Sequence, residues 1–305
     1  MQKAIQRVEK ITIIKPIDSK CDLIYYKNMK RFNKIYLEIS NVCNLACAFC
    51  PGTKRQPRAI SKEELELILP KIEPYTDYLY FHLMGEPLCH PQLAEFLDMA
   101  HGFKVILTTN GTLLREQKEM LLASPSLHKV NVSLHAFEAN DLHIPFSEYL
   151  EGCFEFGKAA EGEKIVVYRL WNGGGDDKRN DEILKVMKEY FKEPWVNDRK
   201  GIRIGKKVFL EYGDKFDWPS LEADEHTGRM FCYGLRDQIG ILADGTVVPC
   251  CLDHDGDIAL GNIFENDLEE ILETDRTQAI INGFQQFKAA EQLCRRCGYA
   301  HVKFK

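Results

Sequence analysis

KIYLEISNVCNLACAFCPG, Lys34 to Gly52, sets Cys43, Cys47 and Cys50 directly after a stretch that reads as a β-strand. Working outward, that strand opens a series. DYLYFHLM, FKVILTTNG, KVNVSLHA and KIVVYRL carry strand-like patterning, and FKVILTTNG ends in an Asn-Gly turn. Between them EELELILPKI, QLAEFLDMAH, LLREQKEMLL, EYLEGCFEFGKAA and DEILKVMKEYF have helical spacing. A further strand is expected near Ile202 to Glu211. Strands alternating with helices imply a parallel sheet with right-handed crossovers. About six units fit, fewer than the eight of a closed barrel, so an α/β fold with an open or partial (β/α)6 barrel is expected.

The alternation ends near residue 212. Beyond it IGILADGTVVPCC reads as a hairpin turning at Asp244-Gly245, LEEILETDRTQAI as a helix, and CRRCGYA follows. The expected divisions are an extension over 1–33 with one strand, ITIIKPI, a barrel over 34–212 and a small module over 213–305. WNGGGDD, Trp171 to Asp177, is the most loop-like stretch.

Hydrophobic residues make up 45% of the 305 and charged residues 28%, enough for a large core. The net charge of −6 does not favour tight binding to a nucleic-acid backbone, although Lys54, Arg55 and Arg58 make a local basic patch. No apolar run is long enough for a membrane span, and the N-terminus lacks signal-peptide features, so a cytoplasmic protein is expected. Eleven cysteines in a reducing compartment point to metal rather than disulfides.

A structural zinc site takes four ligands, commonly as two pairs, and three thiols on one loop fall short of that. A [4Fe–4S] cluster held by three cysteines keeps one iron open for chemistry. The loop follows the first barrel strand, at the end where such folds keep their active sites. The motif Cys-x3-Cys-x-aromatic-Cys, met by Cys43, Cys47, Phe49 and Cys50, resembles the signature of the radical SAM superfamily. The resemblance implies that S-adenosylmethionine chelates the open iron and is cleaved to a 5′-deoxyadenosyl radical. It also implies that Gly85, Glu86 and Pro87 receive the methionine amino group, that Ser133 meets the ribose, and that Arg169 pairs with the methionine carboxylate. It covers roughly residues 34 to 210.

Cys232, Cys250, Cys251, Cys294 and Cys297 share the C-terminal module. Gly245 to Cys250 followed by Cys294-x2-Cys297 resembles the auxiliary-cluster extension of the superfamily, called SPASM, and fits its shortened form, twitch. The implied ligands of a second [4Fe–4S] cluster are Cys232, Cys250, Cys294 and Cys297. Zinc on the same four thiols, and Cys251 in place of Cys250, are the competing readings. Cys21, Cys89 and Cys153 read as buried small hydrophobes.

For the substrate, the stretch from KIYLEIS through YLYFHLMGEPL and SLHAFEAN to YRLWN resembles the queuine lyases. That implies a small nucleobase-like substrate, hydrogen abstraction from its cyclopentenediol, and carbon–nitrogen cleavage to 7-aminomethyl-7-deazaguanine. The alternatives are a peptide maturase and a non-catalytic iron–sulfur redox module. Only 42 residues precede Cys43, short of a separate recognition domain of about 80. Strand-end side chains facing a barrel mouth give the candidate substrate contacts: Glu38, His82, His135, Trp171 and Asn172, beside Arg169. The chemistry implies an electron donor such as flavodoxin or ferredoxin.

Overall fold

The first of the described helices shows how local sequence sets these elements. In the computed structural model, which describes residues 31–140, 143–175, 178–199 and 201–303, helix α1 spans Lys62–Ile72. Ser61 Oγ accepts from Glu64 N and Glu64 Oε2 accepts from Ser61 N, a reciprocal cap that satisfies two otherwise open donors. Leu65, Ile68, Leu69 and Ile72 recur at helical spacing and are buried. Each is worth about 1.5–3 kcal/mol of apolar burial. The expected ITIIKPI strand and Cys21 lie outside the described residues.

Strands β1 (Lys34–Leu37), β2 (Tyr78–Phe81), β3 (Lys104–Thr109), β4 (Leu127–Ser133) and β5 (Ile165–Gly173) pair in parallel in that order. Helices α2 (Leu93–Met99), α3 (Leu114–Ala123), α4 (Phe146–Ala159) and α5 (Asn180–Tyr190) connect or follow them. The expected strand near Ile202 to Glu211 is two strands. After β6 (Val196–Asp198), β7 (Gly201–Gly205) and β8 (Val208–Asp214) form an antiparallel pair around Lys207, whose φ is +65°. Only β8 joins β5 in parallel, giving six parallel barrel strands, β1 to β5 and β8.

The second module does not stand apart. Its hairpin of β9 (Gln238–Ile241) and β10 (Thr246–Val248) turns where expected, with Gly245 at φ +86°. However, β9 also pairs in parallel with β1 across all four residues, Lys34 to Leu37. With β11 (Gly261–Asn262) the result is one 11-stranded sheet, in the order β11-β10-β9-β1-β2-β3-β4-β5-β8-β7-β6. The single helix expected from LEEILETDRTQAI is two, α6 (Leu268–Glu273) and α7 (Asp275–Gln285). Thr274 is extended between them, and its hydroxyl accepts from Thr277 N as the cap of α7. Alternation on β1 sends Ile35 and Leu37 into the core and leaves Lys34 and Tyr36 lining a cavity on the opposite face. Among the described residues, no helix is long and apolar enough to cross a membrane.

Candidate active site

The loop carrying the first three cysteines leaves β1 at the C-terminal ends of the parallel strands, and its neighbours hold it by polar contacts. Asn44 Nδ2 donates to Thr112 Oγ1 at 2.9 Å, and Asn110 Nδ2 donates to Asn44 Oδ1 at 2.9 Å, fixing the loop to the turn after β3. Ala46 N donates to Asn140 Oδ1 and Ala48 N to Ala139 O, fixing it to the segment after β4. The sulfurs also receive donors: Leu45 N to Cys43 Sγ at 3.4 Å and Asn140 Nδ2 to Cys47 Sγ at 3.1 Å. Burial, reinforced by neighbouring cysteines, raises the Cys43 and Cys47 thiols above the ordinary range. Asn44, Asn110 and Asn140 were not expected here, since a lone asparagine gives no sequence signal for a second-chain-segment contact.

Gly85 packs directly under this loop. Its φ is +75°, and a Cβ there would lie 2.3 Å from Ser40 O. Glu86 N donates to Val42 O at 2.9 Å. The Glu86 carboxylate is 2% exposed and accepts from Asn110 N at 2.7 Å and Leu88 N at 3.1 Å. Burial nevertheless pushes it up to about 7, because two amide donors do not replace the lost hydration.

These elements surround a cavity of about 1280 Å3. Cys43, Cys47, Phe49, Cys50, Gly85, Glu86, Ser133, His135, Arg169 and Trp171 line it, and so do Cys232, Cys250, Cys251, Cys294 and Cys297. Both cysteine sets therefore open onto one space, larger than the 300–1000 Å3 or so that a single small ligand needs. Ser133 and Arg169 are register partners on β4 and β5. Arg169 sits 4.4 Å over the Trp171 ring, with its Nε 3.3 Å from Glu211 Oε2. His135 packs on Phe49 with ring centroids 5.0 Å apart, and its Nδ1 lies 3.1 Å from Arg169 O. His82 is held down at about 3 by burial first, then by the charges of Arg169 and Lys34. Among the described residues, His82 Nδ1 and Trp171 Nε1 are buried polar atoms without hydrogen-bond partners.

Two expected substrate contacts are corrected. Glu38 and Asn172 do not line the cavity. Glu38 is 1% exposed, and its carboxylate takes both Arg55 terminal nitrogens, at 2.7 and 2.6 Å, plus Met84 N and Ala243 N. Its acceptor sites are filled. Asn172 is buried in a reciprocal amide pair with Asn180. Pro87 is buried and also lies off the cavity wall. Of the expected basic patch, Arg55 is clamped on Glu38, Arg58 bonds Ala243 O and Glu64 while staying exposed, and Lys54 is exposed.

Cys250 is pushed well up by burial, then by Cys232, Cys251 and Cys294. Cys251 packs with Tyr36, Leu83 and Val248 beside Lys34 and Arg169, and it also acts on the Cys232 and Cys297 thiols, so both neighbours stand close to the auxiliary group. Cys153 is buried at 0% exposure, as expected, whereas Cys89 is only partly buried.

Fold and site together define an iron–sulfur enzyme built on a partial barrel. The chain belongs to the radical SAM superfamily, whose model matches residues 37–199, and the SPASM iron–sulfur cluster-binding domain matches residues 232–298. It is 21% identical over 284 residues to the S-adenosyl-L-methionine-dependent 2-deoxy-scyllo-inosamine dehydrogenase of Niallia circulans, covering 90% of this chain and 96% of that protein. It is 24% identical over 264 residues to the sporulation killing factor maturation protein SkfB of Bacillus subtilis, covering 77% of this chain and 63% of that one. Among solved structures, SuiB of Streptococcus suis bound to its precursor peptide SuiA matches with a TM-score of 0.60 at 16% identity, over 98% of this chain and 79% of that one.

The cofactors are thus a [4Fe–4S] cluster with S-adenosylmethionine and auxiliary iron–sulfur, and the zinc reading of the second site is set aside. The residues fit these groups. Soft thiolates are the donors such clusters take. Among the described residues no cation is recorded against the buried Glu86 carboxyl beside the three-thiol loop, and an ammonium group would suit it.

Proposed function

We propose that this enzyme cleaves the side-chain carbon–nitrogen bond of queuine, releasing 7-aminomethyl-7-deazaguanine. The observation that carries this reading is the wall of the shared cavity, which includes the aromatic side chains of Tyr36, Tyr80, His135, Trp171, Trp218 and Tyr299. Such a wall suits a flat heteroaromatic base. Cys43, Cys47 and Cys50 hold the catalytic cluster, and Cys232, Cys250, Cys294 and Cys297 hold the auxiliary one. Glu86 receives the methionine ammonium, with Phe49, Gly85, Ser133 and Arg169 completing that subsite. When bound, the cluster and S-adenosylmethionine supply the radical that takes a hydrogen atom. Trp171 stacks the base, while His82 and His135 are neutral ring edges beside it. Asp214 replaces Glu38 as the carboxylate for the base's amidine-like edge, since it lines the cavity at the end of β8, in register with Gly173.

A second reading has its own support, and the relatives lean toward it. SkfB is named a maturation protein, and SuiB was crystallised with a precursor peptide. On that reading the partner is a ribosomally made peptide. One experiment separates the two: oxygen-free incubation of reconstituted enzyme with S-adenosylmethionine, dithionite and queuine, followed by mass spectrometry. The expected product is 7-aminomethyl-7-deazaguanine. Cofactor cleavage without that product rejects the lyase and leaves the maturase.

A further inference from the structure

We propose that the face carrying Arg229, Phe231, Tyr233, Arg236 and Phe287 is the docking surface for a small acidic one-electron carrier protein. It rests on superfamily membership alone and holds whichever substrate is correct. Tyr233 and Phe287 are among the exposed large apolar side chains, at 41% and 40% exposure. Arg229 stacks 4.2 Å over the Phe287 ring and Arg236 5.1 Å over Phe231. Phe231 and Phe287 have centroids 6.5 Å apart, and Met230 N donates to Phe287 O, so two distant segments build one patch.

The patch is positive in a chain whose net charge is −6. Asp237, 3.8 Å from Arg236, lines the internal cavity, while the Arg236 side chain is 52% exposed. Lys288 follows Phe287 and is exposed. An acidic partner is steered to such an island, and the stacked arginines offer planar cations over rings, a common recognition pairing.

Position gives the patch its role. Phe231 and Tyr233 flank Cys232, which lines the cavity with Cys250, Cys294 and Cys297. Tyr233 is exposed and also lines that cavity, so the patch reaches from the surface to the auxiliary thiols. In the basic run after the first cysteines, Arg55 is held by Glu38 and Arg58 is shared with Ala243 O and Glu64, while Lys54 is exposed. With Cys232 among the thiolates that would hold the auxiliary cluster, the reduced carrier would lose one electron and the cluster would gain it, with no bond made and no proton moved.

The test uses reconstituted enzyme and a purified bacterial flavodoxin as the probe, comparing wild type with the Arg229→Glu/Arg236→Glu double variant. Expected results are flavodoxin binding weakened by about tenfold or more, with a flatter salt dependence. Bleaching of the cluster absorbance by reduced flavodoxin slows, while bleaching by dithionite is unchanged. The Arg229→Lys/Arg236→Lys variant keeps its binding. Unchanged flavodoxin affinity overturns the proposal. So does an equal slowing with dithionite, because the arginines then serve the cluster rather than the carrier.

Discussion

Glu38 sits at the position where a barrel strand presents a catalytic carboxylate, yet four donors from three chain segments occupy it. Removing it strands the Arg55 guanidinium, which is only 13% exposed. Breaking such a buried pair costs about 3–5 kcal/mol. Glu38→Ala is therefore expected to lower the melting temperature sharply, in anaerobic calorimetry, rather than to spare stability and remove turnover alone. His82 and Glu86 make opposite contributions to stability against pH. His82 is depressed to about 3, so the unfolded chain binds its proton first and stability drops as pH falls below the ordinary histidine value. Glu86 is raised to about 7, so the folded chain keeps its proton longer and stability drops as pH rises toward that value. Without S-adenosylmethionine, His82→Gln is expected to flatten the acid side of a melting-temperature profile. Glu86→Gln is expected to remove the decline between about pH 5 and pH 7. Single variants that leave both slopes in place contradict these assignments.

At the scale of elements, the barrel strands and helices were legible because each is a periodic stretch with its own stop signals. Ser61 and Glu64 mark the start of α1 as a sequence pattern, and Ser61→Ala is expected to cost about 1 kcal/mol in denaturant unfolding. The turn at Lys207 left no such mark, and the apolar run across it read as one strand. Thr274 was likewise hidden inside a helical pattern, where only its extended backbone shows that it ends one helix and caps the next. The pairing of β9 with β1 had no local signal at all, because the partners lie some two hundred positions apart and parallel pairing fixes no turn. The site divides the same way. The clustering of its cysteines is visible in their spacing, and the place of the Gly-Glu-Pro turn beside them is implied only by the family resemblance. Glu38 was misread because its partner, Arg55, lies on a loop whose path the sequence does not give. Gly245 anchors the expected hairpin, since a Cβ there would lie 2.4 Å from Phe264 Cδ2. Gly245→Val is expected to lower auxiliary iron content while leaving the barrel's circular dichroism in place.

Across the whole molecule, the β9–β1 pairing makes the two cysteine sets walls of one chamber, and polar ties close it on the loop side. Thr53 Oγ1 and Lys54 N both donate to Asp255 Oδ1, at 2.7 and 2.9 Å, and Arg55 Nε donates to His254 O at 2.9 Å. The three-cysteine loop is thereby tied to the segment just after Cys250 and Cys251. In a radical enzyme this closure matters for commitment: a chamber that stays shut keeps water out and the substrate in place while the radical exists. Asp255→Ala removes both donors' acceptor from a partly exposed position, so the fold and both iron sites are expected to persist. The expected effect is uncoupling. The yield of 5′-deoxyadenosine per product should rise several-fold while iron content stays at the wild-type level, since misplacement alone costs large factors in rate. Equal ratios in wild type and variant, measured by quantitative mass spectrometry of both products, remove the tie from the mechanism and leave it a packing contact.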